Sequence, residues 1–331
     1  MFDKKSVLIT GGTGSFGRQC VKTMLNRYKP KRLIVFSRDE LKQYEMQQEF
    51  KDPAMRYFLG DVRDEERLVQ AMQGVDYVIH AAALKQVPAA EYNPMEFIKT
   101  NINGSENVVK AALRNEVTKV MAISTDKAVN PINLYGATKL VMEKIFIAGN
   151  NIAGGHRTRF SVVRYGNVAG SRGSVLPHFR KLLAEGAGKL PITDPQMTRF
   201  WLTIGQGVDF ALKSFERMQG GEVFIPKITS IRITDLAESL SPGKSVKVIG
   251  IRPGEKMHEI LCPSDQAQIT LEFPDHFVIK PTINFVGMVK YETNPLGEKG
   301  KPVAAGFEYS SGTNPEFLTV EQLRAMNEEL K

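Results

Sequence analysis

Five short apolar runs, SVLIT (6–10), RLIVFS (32–37), RYFLGDV (56–62), YVIHAAA (77–83) and KVMAIST (119–125), recur through the first part of the chain, each separated from the next by an amphipathic stretch. Runs rich in Val, Ile and Leu without polar alternation are strands buried on both faces, which is the condition of a parallel sheet. The stretches 16–27, 40–50, 64–72 and 95–115 supply the helices that cross over between them. Strand-helix alternation at this spacing predicts an α/β fold built on a doubly wound parallel sheet, with ligands at the carboxyl ends of its strands. A sixth strand is predicted in RFSVVRYGNV (159–168). Beyond residue 170 the texture changes. Helical segments at 175–186, 205–218 and 317–330, the last with Thr319 and Gln322 placed for a capping box, mix with strands GEVFIP (221–226), SVKVIGI (245–251) and HFVIKP (276–281). The expected division is a sheet domain over 1–170 and a smaller C-terminal α/β substrate lobe over 171–331, with some strands and helices interleaved.

Several function classes drop out early. The chain has 331 residues, 42% hydrophobic and 24% charged, an ordinary globular balance. Cys20 and Cys262 are too few for a disulfide framework and read as buried small side chains in a reducing cytoplasm. No basic-then-apolar leader precedes the first strand and no apolar run reaches the length of a membrane span, so the expectation is a cytoplasmic protein without a membrane partner. The net charge of +8 is spread along the chain rather than clustered, which suits polyanionic small molecules better than nucleic acid. His80, His156, His178, His258 and His276 lack metal-ligand spacing, and no metal is expected.

The run Thr10-Gly11-Gly12-Thr13-Gly14-Ser15-Phe16-Gly17 follows the first strand directly and opens a helix. Glycines at 11, 14 and 17 permit a tight turn, let backbone N–H groups approach a pyrophosphate, and allow close helix-strand packing. This is the start of a Rossmann-like dinucleotide site. An enzyme specific for NAD has an acidic residue at the end of the second strand to hold the ribose hydroxyls. Here Ser37-Arg38-Asp39 offers a hydroxyl and a guanidinium suited to a 2′-phosphate, with Lys42 close behind and Asp39 placed to cap the next helix, so the cofactor is read as NADP. Asp61 and Val62 are expected to face the adenine, and Ala81-Ala82 to let the chain pass close to the ribose. Lys85, after the fourth strand, is a candidate for either cofactor or substrate.

The segment Ser124-Thr125-Asp126-Lys127, followed by Tyr135-Gly136-Ala137-Thr138-Lys139, concentrates the acid-base chemistry. A Tyr and a Lys four apart on a helix share one face, with Cβ atoms about 5–6 Å apart. The ammonium is expected to lower the phenol's pKa so that it can take a proton from a sugar hydroxyl. Asp126-Lys127 adds a second acid and base, more than a simple dehydrogenase needs. Together the TGGTGSFG start, the HAAA strand end, the hydroxyl before the YxxxK pair and the RYGNV strand resemble the extended short-chain dehydrogenase/reductase superfamily over nearly the whole chain. Within it, STDKAVNPINLYGATK resembles the nucleotide-sugar 4,6-dehydratases that act on UDP-N-acetylglucosamine, most closely the inverting branch that starts pseudaminic acid synthesis. Lys127 stands where the retaining, dTDP-glucose type has Glu, and Tyr135 is kept where membrane-anchored and capsule-pathway relatives carry Met.

The resemblance implies a reaction in which Tyr135, assisted by Lys139 and Thr125, takes the 4-hydroxyl proton during oxidation of carbon 4. Lys127, as a neutral amine whose pKa is pushed down by burial, Lys139 and the nicotinamide charge, removes the hydrogen on carbon 5. Asp126 protonates the departing 6-hydroxyl, and hydride returns to carbon 6 with inversion at carbon 5. The partner implied is UDP-N-acetylglucosamine, and the product UDP-2-acetamido-2,6-dideoxy-β-L-arabino-hex-4-ulose. Asn167 and Val168, at the end of RYGNV, match the family's substrate-contacting strand end. Arg172, Arg199 and Arg252 are candidates for the UDP diphosphate, with Glu255 either on the uridine ribose or positioning an arginine. The alternatives on the same scaffold are a UDP-sugar 4-epimerase or reductase and a retaining 4,6-dehydratase. The superfamily also implies a homo-oligomer.

Overall fold

The apolar runs of the first half become strands β1 (Ser6–Thr10), β2 (Arg32–Ser37), β3 (Met55–Leu59), β4 (Tyr77–His80), β5 (Lys119–Thr125) and β6 (Arg159–Tyr165) in a computed structural model, which describes residues 1–171, 173–283 and 289–329. They lie parallel in the order β3-β2-β1-β4-β5-β6. Strand order therefore reverses between β1 and β4, and the crevice at their carboxyl ends is where a doubly wound sheet takes its ligand. Two runs overshoot their strands, since 60–62 and 81–83 have already left the sheet as loops. The second of these turns because the Ala81 and Ala82 N–H groups bond Thr10, through its carbonyl at 3.2 Å and its hydroxyl at 3.3 Å.

The sheet does not stop at residue 170. Val223–Pro226 adds in parallel beside β6, and His276–Ile279, Thr270–Glu272 and Lys301–Pro302 follow antiparallel, making a sheet of ten strands. The helix Ile204–Arg217 brings the chain back far enough for 223–226 to enter in parallel. The remaining strands are short and stand apart. Thr229–Arg232, Thr198–Leu202 and Asn167–Val168 form one small sheet, and Leu190–Ile192 pairs with Val246–Val248. With the helices Val175–Ala184, Ile233–Leu240 and Val320–Glu329 they enclose a separate core around Phe179, Trp201, Ile231, Leu236 and Leu323.

Capping decides several boundaries. Thr319 and Gln322 form the expected reciprocal pair, with N–H to side-chain distances of 2.9 and 3.3 Å, and Thr203 and Gln206 form another at the start of Ile204–Arg217. The single helix expected over 95–115 is three pieces, Pro94–Phe97, a π-helical turn Ile98–Asn103 and Gly104–Arg114. The wide turn places the buried Asn101 amide on Leu84, accepting from its N–H at 2.8 Å and donating to its carbonyl at 2.9 Å, and so ties the segment after β4 to the helix layer. Among the described residues no helix is long and apolar enough to cross a membrane.

Candidate active site

The crevice between β1 and β4 fits a dinucleotide. Gly11 sits at φ +65°, and a Cβ there would lie 2.8 Å from the Cα of Ala82, so the glycine turn and the end of β4 are in contact. The helix Ser15–Arg27 starts at Gly14 with no side chain capping it, leaving its first N–H groups, at Ser15, Phe16 and Gly17, for an anionic ligand. Thr13 donates its hydroxyl to Ser37 at 3.2 Å, and Gln43 donates to the Ser37 hydroxyl and carbonyl at 3.2 and 3.0 Å, which fixes the end of β2 beside the turn. Asp39 caps Glu40–Glu49 by accepting from the Lys42 N–H at 3.0 Å, and the Lys42 ammonium closes on the same carboxylate. Arg38 is half exposed, 3.4 Å from Asp61. Burial works against the Asp61 charge, but the hydrogen bonds from Arg63, with guanidinium contacts of 2.9 and 2.7 Å, hold its carboxyl below the usual range. Val62 turns its side chain away from the crevice. Its side chain belongs to the core and its carbonyl is taken by Asn107 at 3.1 Å, so only Asp61 of that pair presents a side chain to the crevice rim.

At the end of β5, Thr125 is followed by a tight turn, Asp126–Ala128, and then by the helix Leu134–Ile152. The helix starts where it does because Asn133 accepts from the Gly136 N–H at 2.8 Å. A Cβ on Gly136 would meet the Lys127 carbonyl oxygen at 2.1 Å, so glycine is what lets the first turn of the helix, with Tyr135, close onto the Asp126–Ala128 turn. Thr125, Asp126, Lys127 and Tyr135 are thus brought together. Thr125 donates to Asp126 Oδ1 at 2.9 Å, and Lys127 Nζ donates to the same oxygen at 3.0 Å. Asp126 is fully buried, whereas the Lys127 side chain is 26% exposed. Lys127 is the more exposed member of the pair.

The electrostatics differ from the sequence-based expectation in two ways. Burial pulls the Lys127 amine down, but Asp126 and Glu259 together outweigh it and hold the amine above the ordinary lysine value. Burial pushes the Tyr135 phenol up to about 12, and the groups drawing it back are Lys127 and the neighbouring Thr125 hydroxyl, with Asp126 opposing them. Lys139 is not among those groups. It is buried, donates to the Ile123 carbonyl at 2.7 Å, and burial lowers its amine to about 8 against the pull of Glu143. Lys85 is likewise lowered, by burial and then by the charge of Lys127, which places it on the same side of the site.

On the substrate side, Asn167 and Val168 are partly covered, and the buried Asn167 Oδ1 has no hydrogen-bond partner among the described residues, an acceptor left for a ligand donor or water. Arg252 is exposed and paired with Glu255, so Glu255 positions that arginine in the present arrangement. Arg199, the second diphosphate candidate, lies inside the fold rather than on its surface. It is buried, donates to the Thr198 and Met257 carbonyls at 2.7 and 3.2 Å, and lies 3.9 Å from Glu259. Arg172 lies outside the described residues.

Two groups of this site escaped the sequence reading. Glu259 is 3.5 Å from Lys127 Nζ and 4.0 Å from Lys256 Nζ, so a second buried carboxylate stands behind the Asp126-Lys127 pair. Both it and Lys256 sit in RPGEKMHE, a segment whose charged residues were read only for Arg252 and Glu255. Glu143 and Arg164 form a fully buried pair beneath Lys139, with contacts of 3.0 and 2.6 Å, and Ser124 donates to the same glutamate. The helix also carries Lys139 and Lys144 and the strand Arg159, so nothing local marks Glu143 and Arg164 as the charges that turn inward. No group of three His, Cys, Asp or Glu able to hold a metal occurs among the described residues.

Comparison with known proteins shows the family of the chain. Residues 7–281 match the model of a family described as polysaccharide biosynthesis protein. The chain is 59% identical over 324 residues, 98% of its length and 97% of the relative's, to the UDP-N-acetylglucosamine 4,6-dehydratase (inverting) of Campylobacter jejuni subsp. jejuni serotype O:2. It is 40% identical over 333 residues, 98% of its length and 96% of the relative's, to a UDP-glucose 4-epimerase of Rickettsia massiliae. The X-ray structure of Pen from Bacillus thuringiensis superposes with a TM-score of 0.89 at 38% identity, covering 100% of both chains. The chain belongs to the polysaccharide biosynthesis protein family, within the extended short-chain dehydrogenases/reductases, on the branch of the inverting UDP-N-acetylglucosamine 4,6-dehydratases.

Proposed function

We propose that the protein is an NADP-dependent lyase that converts UDP-N-acetylglucosamine to UDP-2-acetamido-2,6-dideoxy-β-L-arabino-hex-4-ulose, the opening step of pseudaminic acid synthesis. The observation that carries the reading is the joining of two tools at the end of β5, the Tyr135-Thr125 pair and the Asp126-Lys127 pair, in one buried cluster. An epimerase needs the first and has no use for an acid and base that expel a 6-hydroxyl.

A bound nicotinamide dinucleotide supplies a hydride acceptor for carbon 4 and a donor for carbon 6. Tyr135, once its own phenolic proton has passed to solvent, a loss that Lys127 and Thr125 favour against burial, takes the 4-hydroxyl proton, and Thr125 hydrogen-bonds the same oxygen. Lys127 removes the carbon 5 hydrogen, made acidic by the adjacent ketone. In the resting protein its nitrogen is an ammonium and must first give up a proton. Asp126 Oδ1, at 3.0 Å, is the acceptor in reach. That one transfer leaves a neutral amine and a carboxylic acid, which are the base and the acid an elimination requires. Elimination then returns the pair to its resting charges, because Lys127 gains the carbon 5 proton and Asp126 loses one to the departing hydroxyl as water. Excluding water over the pair favours the neutral arrangement, since an ion pair loses more solvation on burial than two neutral groups do. The test is incubation with UDP-N-acetylglucosamine in deuterated water followed by NMR. A deuterated 6-deoxy-4-keto product of inverted configuration at carbon 5 is expected; a product that keeps its 6-hydroxymethyl group sinks the dehydratase reading.

The NADP assignment rests on Ser37 and Arg38 at the end of β2, together with the engagement of Asp39 as a helix cap rather than as a ribose ligand. Arg38→Ala is expected to weaken NADP binding by about ten- to a hundredfold, the worth of a charge-assisted hydrogen bond, while changing NAD binding little. Calorimetric titration with both dinucleotides checks this, and an equal loss for the two would remove Arg38 from the 2′-phosphate site. A homo-oligomer is the proposed working unit, supported by the exposed apolar side chains of Tyr92, Met95 and Ile132 near the start of the Tyr135 helix.

A further inference from the structure

We propose that Glu259 is a positioning residue of the elimination step, holding the Lys127 amine against Asp126. The inference rests on the reading of Lys127 as the base at carbon 5.

The geometry brackets one nitrogen between two carboxylates from distant parts of the chain. Lys127 Nζ is 3.0 Å from Asp126 Oδ1 and 3.5 Å from Glu259 Oε1. The Glu259 backbone is pinned, because its N–H donates to the Ser311 hydroxyl at 2.9 Å and its carbonyl accepts from the Ser311 N–H at 2.8 Å. The cations around its carboxylate are Lys127 from the β5 turn, Arg199 at 3.9 Å from the strand Thr198–Leu202, and Lys256 at 4.0 Å from its own segment; Lys85 and Tyr135 face Lys127 from the β4 loop and the helix. Arg199 and Lys256 are already engaged by carbonyl groups, Thr198 and Met257 for the first and Val129 for the second. Among the three, Lys127 has the most exposed side chain, at 26% against 8% and 14%.

Glu143 shows what a purely structural buried carboxylate looks like here. Both its oxygens accept, from Arg164 and Ser124. Glu259 is equally buried, yet its Oε2 has no hydrogen-bond partner among the described residues. A buried charge left half satisfied is retained against a cost in stability. A carboxylate that steadies an amine which must later release its proton has a reason to be bonded loosely. The proton itself goes to Asp126, the nearer oxygen, and Glu259 stays an anion throughout.

The experiment uses the full-length protein labelled with 15N-lysine, its Lys127 resonance assigned by its loss in Lys127→Ala, and titrated by NMR with and without Glu259→Gln. Lys127 is expected to titrate above an ordinary lysine in the unmutated protein and at least about one pH unit lower in Glu259→Gln. The limb of the kcat profile governed by that amine should move in the same direction, with kcat changing more than KM. A packing role alone would lower stability or turnover without moving either titration. Superimposable Lys127 titrations in folded wild-type and Glu259→Gln proteins would overturn the proposal. So would a wild-type Lys127 that titrates at or below the ordinary lysine value, a result that needs no variant to fold. Glu259→Asp, which keeps the charge but withdraws it by one methylene, should leave Lys127 between the two. The titration needs no sugar, so a protein that leaves UDP-N-acetylglucosamine untouched refutes the dehydratase reading and not this one.

Discussion

Lys127→Ala stops the reaction after its first oxidation. Conversion of UDP-N-acetylglucosamine to the 6-deoxy product is expected to fall by about 10²- to 10⁴-fold, the usual contribution of a positioned acid or base. Oxidation of carbon 4 should survive, because Tyr135, Thr125 and Lys139 remain and none of them depends on the Lys127 amine for its place. Thr125 keeps its own bond to Asp126 at 2.9 Å, and Lys139 keeps the Ile123 carbonyl at 2.7 Å. Mixing the loaded variant with substrate should therefore produce reduced-cofactor absorbance that is not discharged, since no carbon 6 acceptor forms. Loss of Lys127 also removes its pull on the Tyr135 phenol, so this oxidation should need a higher pH than in the wild type. Dinucleotide binding measured alongside is expected to be unchanged, which separates a chemical defect from a misfolded site. Undiminished product formation would remove Lys127 from the mechanism.

The sheet and its switch point were legible because they are written locally. An uninterrupted apolar run is a strand buried on both faces, and a glycine turn between strand and helix has few other uses. The catalytic segment was legible for the same reason, with every member within one turn or one helix face of the next. What was not legible came from far along the chain. Glu259 reaches Lys127 across more than a hundred residues, and nothing in the local pattern of RPGEKMHE says which of its charges turns inward. Arg199 was one of three arginine candidates for the diphosphate, and only the strand Thr198–Leu202 shows that it is buried beside that glutamate. The pKa directions failed for a related reason. Helix spacing puts Tyr135 and Lys139 on one face, but which cation governs the phenol depends on the approach of a separate turn, and Gly136 is what permits it. The strand additions beyond residue 170 were missed as part of the main sheet because a strand's sequence does not name its neighbour.

The buried Glu143-Arg164 pair should produce the largest change in stability and, separately, a change in the acid-base behaviour of the site. Glu143→Gln leaves a guanidinium with no carboxylate in a fully buried position, which costs about 3–5 kcal/mol. Adding Arg164→Met removes the orphaned charge and should restore most of that loss, as paired apolar replacement of buried ions often does. Activity should not follow stability. Glu143 is the charge that opposes the effect of burial on Lys139, whose amine stands at about 8 against an ordinary 10.5. That depression costs the folded state about 3 kcal/mol while the amine is protonated, at 1.36 kcal/mol per pKa unit. The unfolded chain binds the extra proton between pH 8 and 10.5, so this group makes the fold more stable as pH rises through that window. Without Glu143 the Lys139 amine falls further, and the stability window opens at lower pH. In the same variant a larger share of Lys139 is uncharged near pH 7, which weakens the assistance expected of it in the oxidation step. The double variant should therefore unfold near the wild-type temperature while losing turnover most at neutral pH. Thermal unfolding and a pH-rate profile on the same samples separate the two effects, and a double variant that matches the wild type in both would make the pair a structural element with no hand in the chemistry.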